Sequence, residues 1–191
     1  MKAVVSLLDD SAYSRIEAMW RVLELKCGLK GIKNTPYPHF SWHVADSYSG
    51  EEVQGILQGL SANAKPFTVT TSGLGIFTGQ EPVIYILISK TEKLLRFHKS
   101  IWKQIQPFAN CGSDFYTPDV WVPHITLAHS DVNKQALLCA LEELAFVPFS
   151  WEIKIENLAV VGQSGVEVGR LINRFDFPQR TKQSTREPSS L

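Results

Sequence analysis

TPYPHFSW, residues 35–42, and DVWVPHITL, residues 119–127, carry the same phrase: proline, histidine, any residue, hydroxyl. Side chains in a strand alternate between faces, so residues two apart point the same way. His39 and Ser41 therefore share one face of a strand, and His124 and Thr126 share one face of another. The residues between and beyond them, Phe40, Trp42, Ile125 and Leu127, are apolar and turn to the opposite side, where helices can bury them. The two histidines lie 124 − 39 = 85 positions apart, which suits a doubled architecture rather than a short tandem repeat.

Outward from these segments the pattern alternates strand and helix. KAVVSLL is a β-branched strand, followed by helical spacing of Ile16, Met19, Trp20, Leu23 and Leu25, with Ser11 as a helix start and Gly28 as a stop. After HFSWHV comes a helix over EEVQGILQGLSA, then PFTVTTSGLGIF and PVIYILISK as strands joined around Gly79 to Pro82. TEKLLRFHKSIWKQIQPFA is a helix capped by Thr91. VWVPHITLAH is a strand, NKQALLCALEELA a helix, and SWEIKIENLAVVG with VEVGRLINRFDF a closing hairpin. From the second strand on, the block strand, helix, strand, strand occurs twice, each opened by a histidine segment. Such interleaving predicts an α+β protein with helices outside the sheet.

The bulk numbers narrow the function. At 191 residues the length suits one domain or two small lobes sharing a core. Composition is 44% hydrophobic and 20% charged, as in ordinary soluble globular chains. Nineteen basic and nineteen acidic side chains leave no net field to hold a polyanion, so a nucleic acid must be recognised locally. Three cysteines, Cys27, Cys111 and Cys139, form no CxxC pair; their odd number argues against a disulfide framework or a zinc ribbon and favours a reducing, cytoplasmic location. The sequence shows neither a signal peptide nor a membrane span. The folded part is expected over residues 1–177, and the polar segment 178–191 is expected to be mobile.

Two imidazoles and two hydroxyls converging on one cleft suit a phosphate ester. One neutral imidazole can take a proton from an attacking oxygen while a protonated one gives a proton to the leaving oxygen. A pKa near 6.5 populates both forms around neutrality. The hydroxyls can donate hydrogen bonds to non-bridging phosphate oxygens. No metal or cofactor is required.

PHFSWHV and PHITLAH resemble the paired His-x-Thr/Ser motifs of the 2H phosphoesterase superfamily, which includes the 2'-5' RNA ligases and cyclic phosphodiesterases. GLGIFTGQEPVIYILI is similar to that family's glycine, phenylalanine and hydrophobic-strand stretch between the motifs. The resemblance implies a bilobal, pseudo-two-fold fold with two antiparallel sheets around a central cleft. It implies His39 and His124 as the acid–base pair, and Ser41 and Thr126 as phosphate-binding hydroxyls. Its substrate would be a small nucleotide or an RNA terminus bearing a 2',3'-cyclic phosphate, handled by a monomer. Serine in the first motif, where threonine is frequent, keeps the donor but loses the methyl that restricts its rotamer. The rival reading is a protein that binds such a terminus in the same cleft without turning it over.

Strand alternation also places His43 beside Ser41, at the border of the cleft, and His129 on the face away from His124, as a strand-end residue. Tyr37 and Trp121, each close before its histidine, are candidates for stacking on a nucleobase. His98 falls in a helical stretch beside Arg96 and Lys99 and is expected on the solvated surface. The GLG of Gly73 to Gly75 lacks the GK[ST] of a P-loop and is expected to be a bulge or bend.

Overall fold

The computed structural model describes residues 1–164 and 167–179. The strands are β1 (Lys2–Leu7), β2 (His39–Tyr48), β3 (Phe67–Phe77), β4 (Val83–Ile88), β5 (Ala109–Gly112), β6 (His124–Ala128), β7 (Glu152–Ile155), β8 (Asn157–Ser164) and β9 (Glu167–Asp176). The helices are α1 (Asp10–Cys27), α2 (Gly50–Asn63), α3 (Glu92–Ile105) and α4 (Lys134–Leu144). The α+β class is as expected. The segment from Arg180 onward, expected to be mobile, lies outside the described residues.

The strands run in the order β7-β3-β4-β6-β2-β1-β8-β9, all pairs antiparallel, with β5 added beside β2. The ladder narrows at its centre, where one residue pair, Phe40 with Ile125, joins β2 to β6. The expected two sheets are thus two halves of one curled ladder, and the histidine strands stand side by side at the waist.

The spatial halves are not the sequence blocks. β3 and β4 follow His39 in the chain but pair beside β6, whereas β8 and β9 follow His124 and lie in the half of β2. The closing hairpin expected at the end forms between β8 and β9, but the start of its expected first strand separates as β7 and crosses to pair with β3. Helices cross over in the same way. The Trp20 indole of α1 donates to the Thr126 carbonyl of β6 (3.1 Å), and His98 Nε2 of α3 donates to the Trp42 carbonyl of β2 (3.0 Å). Each half therefore needs the other to bury its helix-side apolar face, which makes the main core one continuous cluster from Val4 through Trp42, Ile86 and Ile101 to Leu158.

Local chemistry sets the ends. The carboxylate of Asp9, not Ser11, caps α1 by accepting from the Ala12 amide, and its second oxygen accepts from the Lys154 amide of β7. Gly28 closes the helix at φ 72°. Thr91 caps α3 as expected.

Two expectations are corrected. Cys27 and Cys139 are joined as a disulfide, Cα atoms 5.6 Å apart, linking α1 to α4. The odd count does not exclude one pair; it leaves Cys111, which is exposed. Separated by 112 residues, the partners meet only once the two helices pack. His98 is buried rather than solvated, stacked on Trp121 with ring centroids 3.8 Å apart. Its charged neighbours Arg96 and Lys99 lie on the outer side of an amphipathic helix.

A turn of 3-10 helix, Gly31–Asn34, docks against the end of β6. The Asp131 carboxylate accepts from the amides of Lys30 and Gly31. A Cβ on Gly31 would collide with the His129 carbonyl oxygen, so the backbone must part to admit any side chain. Gly31→Ala is expected to lower stability by about 1–3 kcal/mol, visible as an earlier midpoint in urea with unchanged slope; an unshifted midpoint would show that the loop moves aside freely.

Candidate active site

His39 and His124 open their strands in equivalent ways. Each donates Nδ1–H to the carbonyl two residues earlier, His39 to Tyr37 (2.5 Å) and His124 to Val122 (2.7 Å). This fixes the ring orientation and leaves Nε2 as the free atom. Both imidazoles, with Ser41 and Thr126, line one cavity of about 380 Å³.

The hydroxyl residues are anchored in matching fashion. Because β2 and β6 pair at a single position, their backbones diverge and the carbonyls beyond it need other donors. Trp121 Nε1 donates to the Ser41 carbonyl (3.0 Å), as Trp20 does to that of Thr126. Trp121 is 1% exposed and stacked on His98 and Trp42. It cannot receive a nucleobase, which corrects that expectation: the core claims its ring and the strand its N–H. Tyr37 is half-buried against the cluster of Val5, Leu7, Ala159 and Val161, outside the cavity lining.

Strand alternation misplaces two further histidines for one reason. In β2 the register shifts by a residue, Val4 facing His43 but Val5 facing Ser41. In β6 the same happens, Ile84 facing Ala128 but Tyr85 facing Thr126. The extra residue reverses the side-chain order after the third position beyond each histidine. His43 thus leaves the cleft and is buried between the Tyr48 hydroxyl (2.9 Å) and the Gln106 amide (2.8 Å). His129, five beyond His124, enters the cavity lining, as does Val44, five beyond His39.

Sequence reasoning also missed Lys2, Ser113 and Tyr116, which line the same cavity. The amide of Ser113 donates to the Val44 carbonyl (2.8 Å), which lays this loop along β2 and turns Tyr116 toward Ser41. No periodicity marks these positions; a loop residue reaches a site only through the path of its neighbours.

Burial holds both cleft imidazoles below the usual histidine range. For His39, desolvation is the largest cause, and the charges of His124 and His129 act in the same direction, against the hydrogen bond to Tyr37. For His124 desolvation likewise outweighs the hydrogen bond to Val122. Burial pushes the Tyr116 phenol up, against the pull of its hydrogen bond with Ser41. One neutral and one protonated imidazole are thus easier to hold here than two charged ones.

A larger groove of about 740 Å³ between α2 and α3 contains no histidine and one acid, Glu52. Among the described residues no cluster of three His, Cys, Asp or Glu side chains could hold a metal ion, and no helix is long and apolar enough to cross a membrane.

The model of the 2'-5' RNA ligase superfamily matches residues 8–167. No curated protein matches this sequence. Among solved structures, TT0787 of Thermus thermophilus superposes with a TM-score of 0.65 at 17% identity, over 92% of this chain and 97% of that one. LigT of E. coli, solved with 3'-AMP, gives 0.55 at 15% identity, over 93% and 98%. At these identities the likeness is one of fold.

Proposed function

Because the chain belongs to the 2'-5' RNA ligase superfamily, we propose that it opens the 2',3'-cyclic phosphate of a nucleotide or an RNA end to a 2'-phosphate, without a metal. The observation that supports this most is the meeting of two outward Nε2 atoms and two hydroxyls in one cavity. His124 Nε2 takes a proton from water as the water oxygen bonds to phosphorus. The bond from phosphorus to O3' breaks, and protonated His39 gives its Nε2 proton to that oxygen. The bond to O2' survives, so the product is a 2'-phosphate. Ser41 and Thr126 donate to the non-bridging oxygens, where charge shifts in the transition state. With a ribose 5'-hydroxyl in place of water, the same step forms a 2'-5' linkage.

The complex of LigT with 3'-AMP supports a ligand of nucleotide size. The balanced charge of the chain favours a terminus or small molecule over long duplex RNA. The test is incubation of purified protein with a panel of 2',3'-cyclic nucleotides and cyclic-phosphate-ended oligonucleotides in excess chelator. The expected product is the 2'-phosphate. Saturable binding with no product after long incubation would instead establish a binding protein using the same cleft; a 3'-phosphate would reverse the assigned regiochemistry.

A further inference from the structure

The two cleft histidines match in backbone anchoring and differ in what stands beside them. His39 lies opposite Leu7, next to the aliphatic cluster of Val5, Ala159 and Val161. His124 is flanked by two aromatic rings: Phe77, perpendicular at 85° with centroids 4.9 Å apart, and Tyr85, tilted at 59° and 5.1 Å away. Those rings are stacked on each other at 4.0 Å. Neither is among the residues lining the cavity, so they flank the imidazole from outside it.

This wall is built by the glycine segment of β3. Val69 and Leu74 both pack on the helix-side core although they differ in parity, because the pairing with β4 shifts by one residue between Thr71 and Gly73. After that bulge the odd positions, Gly73, Gly75 and Phe77, face the cleft side. Gly75 lies opposite Tyr85, and a Cβ on it would stand 2.5 Å from two carbons of the tyrosine ring. Absence of a side chain at Gly75 therefore lets the Tyr85 ring lie across β3, stacked on Phe77 with both rings beside His124. Tyr85 in turn sits opposite Thr126 on β6, so one strand carries the ring support for the histidine beside the partner of the hydroxyl.

We propose that Phe77 and Tyr85 are positioning residues that lock the His124 imidazole in a single ring orientation, with Gly75 as the bed that seats them, making the symmetric pair unequal. A ring turn about χ2 would put Cδ2 in place of Nδ1 and Cε1 in place of Nε2, breaking the bond to Val122 that keeps the hydrogen on Nδ1 and aiming carbon at the phosphate; the two neighbouring rings block that turn. Among the described residues no pair of aromatic rings flanks His39 in this way. The kinetic consequence rests on the proposed phosphodiester chemistry; the conformational one does not.

The test reads the imidazole directly. In ¹⁵N-detected NMR of the wild-type protein above the histidine pKa, His124 is expected as one tautomer with hydrogen on Nδ1. Tautomer averaging at His124 in the wild type would overturn the proposal without any variant. In Phe77→Leu and Tyr85→Leu, averaging is expected to appear, with kcat down about tenfold and KM changed less than about twofold. Tyr85→Phe, which keeps the ring, should behave as wild type, and Gly75→Ala, which unseats it, as Tyr85→Leu. Folded Phe77→Leu and Tyr85→Leu proteins with one tautomer and full kcat would defeat the inference. A wild-type protein inactive on every cyclic phosphate would defeat the functional reading alone, because the tautomer measurement needs no turnover.

Discussion

Replacement of His39 or His124 by alanine is expected to cut the rate of cyclic-phosphate opening by about 100- to 10,000-fold each. Both imidazoles present Nε2 to one cavity, and each is assigned one proton of a single displacement. The double variant should therefore fall little further than the worse single one, since groups acting as a unit are not additive. The pH profile of kcat/KM carries a second check. The base must be neutral and the acid protonated, and burial holds both below 6.5, so the maximum should lie on the acid side of that value. An optimum near pH 8, or single variants with full activity, would remove the histidines from the chemistry while leaving the fold intact.

Acid is expected to destabilise the protein through His98. Its imidazole is fully buried, stacked on Trp121, and pushed down to about 4 from 6.5 by burial, which outweighs the hydrogen bond to Trp42. Between those values the unfolded chain binds a proton that the folded chain refuses. Stability from this group is thus complete above pH 6.5 and falls as pH drops toward about 4, by at most about 3 kcal/mol. His39, His43, His124 and His129 are lowered too and add in the same direction. Urea unfolding at a series of pH values should show the decline. In His98→Gln the slope, rather than the overall stability, should flatten; an unchanged slope would assign the decline to the other histidines.

The disulfide and His98 show how far local reading reaches. Composition places Cys27 and Cys139 in one chain but not in one contact, because α1 and α4 pack on each other only once the chain has folded across the 112 residues between the cysteines. His98 has charged sequence neighbours, yet the helix turns it inward by its spacing with Leu94 and Ile101. That periodicity was available in the sequence; the flanking Arg96 and Lys99 pointed the other way.

What the sequence determined by itself was the α+β class, the helices and most strands, and the pairing of His39 with Ser41 and His124 with Thr126, because periodicity and i, i+2 geometry are properties of a local backbone. Tertiary structure decided the rest: which strands share a half, which histidine leaves the cleft, and which one enters it. A β-bulge adds one residue against a partner strand that lies far away in sequence, so no local pattern announces it. That one-residue shift, repeated in β2 and β6, buries His43 and brings His129 into the cavity.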